Sequence, residues 1–186
     1  MRITGGAARG IRLNTPKGDG TRPATDQIRE AVFSSLGARV EGAAVADLFA
    51  GTGAYGLEAM SRGAAGGIFV ENSREVVGCL RKNLTAVAKS CRADVSAWRV
   101  LAQKIYTIPA GLGPFDLVFM DPPYDMIESR IPGIFSEHVA PILAEDGCLC
   151  IEMPGDLELT LDGWRETRRL GKTGRDRPSA VFYERL

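Results

Sequence analysis

The sequence predicts an α/β fold: a doubly wound, mostly parallel sheet with helices on both faces, finished by an antiparallel pair of strands. Three observations carry this expectation. The apolar, β-type run ending Asp47-Leu48-Phe49 breaks at Gly51-Thr52-Gly53 and continues at once as a helical pattern. The run Phe115–Met120 is almost continuously apolar, as a strand covered on both faces should be. Between and after these runs, strand-like and helix-like segments alternate along the chain.

Taken in order, Arg2–Gly6 and Arg9–Leu13 read as two short strands joined by a turn of small residues, followed by the loop Lys17-Gly18-Asp19-Gly20. Thr25 is placed to cap a helix whose one face carries Ile28, Val32, Phe33 and Leu36, and Gly37 closes it. Ala43–Phe49 is the first strand of the main sheet, Ala54–Arg62 the first helix behind it and Gly67–Glu71 the second strand. Ser73 caps a helix with Val76, Val77, Leu80, Leu84 and Val87 on its inner face. Ala93–Trp98 is read as a strand and Val100–Ile108 as a short helix. Phe115–Met120 is the next strand, and a helix is expected within Glu128–Leu143, interrupted by Pro132 and Pro141. Gly147–Glu152 is the fifth strand, and Trp164–Leu170 with Ser179–Arg185 form the terminal pair across Gly171–Pro178.

The 186 residues suffice for one domain with a sizeable core, and 45% hydrophobic against 25% charged residues is ordinary for a soluble chain. No apolar leader follows Met1 and no run reaches membrane-spanning length, so a cytoplasmic protein without membrane contact is expected. Cys79, Cys91, Cys148 and Cys150 lack zinc-ligand spacing and read as buried free thiols; no metal is expected. Net charge is zero but unevenly spread: residues 1–30 carry +3, residues 163–186 carry +4, and the middle carries −7. Basic ends on an acidic body suggest a localised face for a polyanion.

Two loops carry the chemistry. Gly51, Gly53 and Gly56 satisfy G-x-G-x-x-G between a strand and a helix, where small residues admit a ligand to the backbone and the helix N-terminus offers unpaired N–H groups. Glu71, 18 residues past Gly53 at the end of the next strand, has the spacing of a carboxylate that receives ribose hydroxyls. The second loop is Asp121-Pro122-Pro123-Tyr124. Consecutive prolines have no N–H, so the Pro122 carbonyl is freed from ladder pairing. Asp121 adds a carboxylate and Tyr124 a planar face. Two acceptors beside a ring suit an NH₂ group on a flat base, and hydrogen bonds from both of its N–H groups favour a pyramidal nitrogen with its lone pair free to attack an electrophile.

Both loops, together with Arg2–Gly6, Arg9-Gly10, Thr21–Asp26, Arg29-Glu30, Gly56–Gly63 and Val70-Glu71, resemble the bacterial 16S rRNA guanine-N2 methyltransferases of the RsmD type. The resemblance covers most of residues 1–125; it departs at Ala24, where threonine or serine is expected, and across residues 90–112, which leaves adenine-ring contacts unassigned. It implies a Rossmann-like methyltransferase fold dependent on S-adenosylmethionine, with a mostly parallel seven-stranded sheet, an antiparallel C-terminal strand and a small N-terminal β-hairpin. Residues 1–20 would form an RNA-contacting arm and 21–186 the methyltransferase domain. The cofactor would lie against Asp47, Phe49, Ala50, Gly51, Thr52 and Gly53, with Glu71 on its ribose and Asn72 beside it. Asp121, Pro122, Pro123 and Tyr124 would hold a flipped guanine, and Arg9, Arg12 and Arg22 the phosphates of 16S rRNA or the small ribosomal subunit, on the same edge as Asp121–Tyr124. The enzyme would act as a monomer. Removing residues 1–14 would then weaken RNA binding and leave the stability of the fold almost unchanged.

Three other readings share parts of this sequence. A DNA or RNA adenine-N6 methyltransferase would use the same Asp-Pro-Pro-Tyr loop, although 186 residues leave little room for a DNA-reading domain. A nicotinamide-dependent oxidoreductase would use the glycine loop and give Asp121–Tyr124 no task. A non-catalytic RNA-binding protein would have little reason to keep both loops intact.

Overall fold

The computed structural model describes every residue except 17–22, 110, 173, 175 and 176; for 23–25 it describes only the backbone. Arg22 and the loop Lys17–Gly20 therefore lie outside the described residues. The sheet has seven strands: β1 (Ala44–Leu48), β2 (Gly66–Val70), β3 (Trp98–Leu101), β4 (Phe115–Met120), β5 (Leu143–Pro154), β6 (Trp164–Gly171) and β7 (Pro178–Arg185). They lie in the order β3-β2-β1-β4-β5-β7-β6, with parallel pairing from β3 through β5 and β7 antiparallel to both neighbours.

Alternation along each strand feeds two cores. Val45, Phe69, Leu117, Phe119 and Cys150 pack on one face against α1 (Pro23–Leu36), α2 (Ala54–Ser61) and α3 (Arg74–Cys91). Ala46, Val70, Val118, Met120 and Ile151 pack on the other, beneath Ile105, residues 127–142 and Trp164. The face of α1 formed by Ile28, Val32, Phe33 and Leu36 is buried as the periodicity predicts. Ser73 does cap α3, its hydroxyl accepting from the Val76 N–H at 3.5 Å.

Several boundaries differ from the sequence reading, each for a local reason. α1 begins at Pro23, at a position where the missing N–H costs nothing, so Thr25 lies within its first turn instead of capping it. The Asp94 carboxylate accepts from the Ser96 N–H at 2.8 Å and closes a 3₁₀ turn at Val95–Ala97, which delays the strand to Trp98–Leu101. That strand pairs with β2, and the expected helix over Val100–Ile108 is reduced to the single turn Ile105–Thr107. Between Tyr124 and Ile142 the prolines break one expected helix into short α, π and 3₁₀ turns. All four cysteines are free, but only Cys148 and Cys150 are buried; Cys79 and Cys91 are partly exposed.

The N-terminal hairpin forms only the bridge of Arg2 opposite Arg12, with cross-strand bonds from Ile3 to Ile11, Gly10 to Ile3 and Leu13 to Met1, and the N–H groups nearer its turn are directed to α2. Thr4 and Gly5 donate their N–H groups to the buried Glu58 carboxylate at 2.8 and 2.7 Å. Ala7 donates to the Ser61 carbonyl at 2.7 Å and Ala8 to the Ser61 hydroxyl at 2.9 Å. Ile3, Ala8 and Leu13 are part of the main core, and Asn14 is clasped by Asn83 of α3. Excision of residues 1–14 should therefore destabilise the fold, contrary to the expectation from sequence: it would open the core and take the Thr4 and Gly5 donors from Glu58, leaving it Arg29 and Arg62.

Candidate active site

β1 lies between β2 and β4, so the sheet order reverses beside its C-terminal end, the place where open α/β sheets leave a crevice. A cleft of about 920 Å³ opens there, lined among others by Phe49, Gly51, Glu71, Asn72, Asp121 and Glu152. Both predicted loops meet in it.

Phe49 adopts φ 59°, a left-handed backbone that costs a non-glycine residue about 1–2 kcal/mol. The bend turns the chain away from the sheet into Ala50–Gly53. Gly51 has φ 53°, and nothing lies within 4 Å of where a Cβ would stand. Its N–H donates to Glu71 Oε2 at 3.0 Å, while Glu71 Oε1 accepts from the Ser73 N–H at 2.8 Å, so the glycine loop and the end of β2 are tied together. Gly53 serves packing: a Cβ there would stand 2.3 Å from Leu80. Asp47, Ala50, Thr52 and Gly53 do not line the cleft; they support the residues that do. Asp47 is buried and accepts the Gly56 N–H at 2.8 Å, which pins the start of α2 to β1.

Burial, opposed by the Gly56 hydrogen bond and reinforced by the charge of Glu71, pushes the Asp47 pKa up to about 8 from 3.8. The folded state then binds the proton more tightly than the unfolded chain, so Asp47 lowers stability as pH rises from about 4 to about 8 and has no such effect below that window. Asp47→Asn keeps an acceptor for Gly56. Thermal unfolding measured at about pH 5 and about pH 9 should show a smaller loss for the variant than for the wild type.

On the other side of the cleft, Asp121, Pro122, Pro123 and Tyr124 all line the wall, with Tyr124 exposed. Asp121 is solvent-accessible, yet its access is to a cleft walled by protein. Desolvation there, then the negative charges of Glu152 and Asp47, hold its carboxyl well above the ordinary carboxylate range. Glu152, on β5 one step past its last pair with β4, receives the Tyr55 hydroxyl at 2.8 Å and is likewise shifted upward by burial. The sequence reading missed Glu152 and the wall residues Gln103, Lys104 and Tyr106. A signal for Glu152 was present: it ends an apolar strand as Asp121 does. The others lie in the stretch without periodicity. Among the described residues, no group of three or more histidine, cysteine or carboxylate side chains could hold a metal ion.

Of the expected RNA contacts, Arg9 and Arg12 are exposed. The hairpin runs along α2: Met1 meets the Thr52 hydroxyl at 3.7 Å, and Asn83 bridges Asn14 and the Thr52 carbonyl, whereas the turn rests on Ser61. Arg9, on that turn, thus lies by the far end of α2, about 12 Å of helix from the glycine loop, and does not share the edge of Asp121–Tyr124. Arg12, opposite Arg2, lies nearer the cleft. Exposed Lys82 and Lys89 of α3 follow the same side, next to Asn83 and Ser90, which touch the hairpin.

A model of the family described as conserved hypothetical protein 95 matches residues 1–177. The chain belongs to that family. Within this RsmD-type group it is 44% identical over 127 residues to ribosomal RNA small subunit methyltransferase D of Escherichia coli K12, covering 67% of this chain and 60% of that protein. It thus spans about 60% of that relative's length. It is 31% identical over 163 residues to the candidate rRNA methyltransferase YlbH of Bacillus subtilis, covering 86% of this chain and 85% of that one. Among solved structures, the candidate methyltransferase yhhF of Escherichia coli superposes with TM-score 0.81 at 31% identity, over 100% of this chain and 97% of the other. The Rossmann-like methyltransferase fold expected from the motifs is therefore the fold this family member has. No helix among the described residues is long and apolar enough to cross a membrane.

Proposed function

We propose that this protein methylates the exocyclic N2 amine of a guanine in small-subunit (16S) ribosomal RNA, with S-adenosylmethionine as methyl donor. The observation that carries this reading is the meeting, in one cleft, of the Gly51–Glu71 cradle and the Asp121–Pro122 acceptor pair. The names of the relatives, rRNA small subunit methyltransferases, support it.

The cradle suits the cofactor. The space beside Gly51 is open, the Glu71 carboxylate stands at the cleft with lone pairs left for ribose hydroxyls, and about 920 Å³ accommodates a nucleoside-sized ligand with a base beside it. Phe49 and Asn72 complete that side. S-adenosylmethionine supplies an electrophilic methyl group. The protein's own contribution is alignment: Asp121 and the Pro122 carbonyl take the two N–H groups of the amine, Tyr124 stacks on the flipped base, and the walls keep water from competing. The amine gains a methyl group and releases one proton; Asp121, held above the usual carboxylate range, is a nearby acceptor for it.

The RNA backbone would follow the strip of Arg12, Lys82, Arg9 and Lys89, with Arg22 a further proposed contact. These contacts hold phosphates without reading sequence, so each should contribute about one unit or less to the salt slope of binding.

Two variants test the cofactor side. Glu71→Ala should weaken S-adenosylmethionine binding by about 1.5–3 kcal/mol, the worth of hydrogen bonds to a charged group. Gly51→Val should weaken it further, since the side chain would occupy the cradle. Calorimetry that finds NADH binding and no affinity for S-adenosylmethionine would favour the oxidoreductase instead. For the reaction, the purified protein should transfer labelled methyl groups into unmodified 16S rRNA or small subunits, and digestion should return the label as N2-methylguanosine. Label recovered as N6-methyladenosine would reject the guanine assignment.

A further inference from the structure

We infer that Glu152 selects the base: its carboxylate accepts the N1–H of guanine while Asp121 and the Pro122 carbonyl hold the neighbouring N2 amine. The inference rests on the proposed guanine reaction and adds to it the residue that would exclude adenine.

Register places the two acids together. Phe119 pairs with Cys150 and Met120 with Ile151, so Asp121, the first residue past β4, and Glu152 of β5 stand one step beyond the last pair of two neighbouring strands, whose spacing is about 4.8 Å. Strand alternation turns both toward the face that carries Phe119 and Cys150, the face covered by α1 and α2. Glu152 is only 5% exposed, and the cleft is where its surface emerges. Its position is held firmly. The Tyr55 ring stacks on Phe119 at 5.2 Å, Phe33 packs against both rings, and the Tyr55 hydroxyl donates to Glu152 Oε2. As an acceptor for that hydroxyl, a glutamine would serve as well and would avoid burying an acid. A carboxylate differs by offering acceptors only.

That difference matters to a base. Guanine presents N1–H and N2–H₂ side by side, an unbroken row of donors. Adenine presents its amine next to the N1 lone pair, which would face the free oxygen of the Glu152 carboxylate with no proton between them. A site built to receive a donor rejects an analogue that lacks it more strongly than a difference in size would.

The test uses the purified full chain and small-subunit RNA whose methylated guanosine, located by mass mapping, is replaced by 2,6-diaminopurine riboside. That base keeps the N2 amine but has a lone pair at N1. Wild-type enzyme should prefer guanine by about 10- to 100-fold in kcat/KM, the discrimination expected of one hydrogen bond to a charged group. Glu152→Gln, whose amide can donate to N1, should lose most of that preference and gain on diaminopurine, with S-adenosylmethionine affinity unchanged by calorimetry. Glu152→Ala should likewise lose the preference, which keeps the test intact should the glutamine variant fold poorly. Variants that slow both substrates equally, preserving the wild-type ratio, would overturn the inference and leave Glu152 as an anchor for Tyr55. A wild-type enzyme inert on the guanine RNA would overturn the proposed reaction and this inference with it.

Discussion

Asp121→Ala should lower methyl transfer by on the order of a hundredfold or more, while S-adenosylmethionine binds about as tightly as before. The carboxyl lies on the side of the cleft opposite the Gly51–Glu71 cradle, and no hydrogen bond joins it to that loop among the described residues. What the variant loses is one of the two acceptors that shape the amine, so the defect belongs in kcat more than in cofactor affinity. Stability should move the other way. Burial first, then the nearby Glu152 and Asp47, disfavours the ionised form of Asp121, and removing the carboxyl removes that cost. A variant with an equal or higher Tm and almost no turnover would show a residue kept for chemistry at a cost to the fold. Near-normal turnover on small-subunit RNA would show that Asp121 has been given the wrong role.

The largest effect on stability should come from Glu58→Ala. This carboxylate, fully buried in α2, accepts the Thr4 and Gly5 N–H groups, the Thr4 hydroxyl at 2.8 Å, Arg62 Nε at 2.9 Å and Arg29 Nε at 3.4 Å. Arg29 is itself only 1% exposed and reaches on to Asp26 and the Arg2 carbonyl. Alanine would leave a buried guanidinium short of its counter-charge and two hairpin N–H groups without an acceptor. Breaking one partner of a buried ionic network costs about 3–5 kcal/mol, and about 10 °C in Tm for a chain of this size. Scanning calorimetry would measure it. A loss of only about 1 kcal/mol would mean that the hairpin is held by its apolar contacts, Ile3, Ala8 and Leu13, and that the network adds little.

The two loops were legible in the sequence because each encodes backbone chemistry in a few adjacent residues: glycines where the chain turns at positive φ, prolines that have no N–H to offer the ladder. The strands flanking them were legible because burial on both faces makes them apolar throughout. Glu152 and Glu58 were not legible in this way. Each is one acid in an otherwise ordinary run, and its meaning comes from a partner far along the chain: Asp121 by strand register, Thr4 and Gly5 by docking of the hairpin. The hairpin misled for the same reason. Its glycines and arginines suggested an extended arm, whereas its N–H groups and three apolar side chains belong to the core beside α2. The wall containing Lys104 and Tyr106 comes from a loop with a single 3₁₀ turn at Ile105–Thr107, which leaves no periodic trace.

The proposed reaction places a methyl group on N2 of a guanine in small-subunit RNA. The most direct measurement is mass mapping of modified nucleosides in ribosomal RNA from cells with and without the protein. One N2-methylguanosine in 16S rRNA should disappear with the protein, return with the wild-type gene, and fail to return with Asp121→Ala. Ribosomal RNA with an unchanged set of N2-methylguanosines, or a loss confined to methyladenosine, would contradict it.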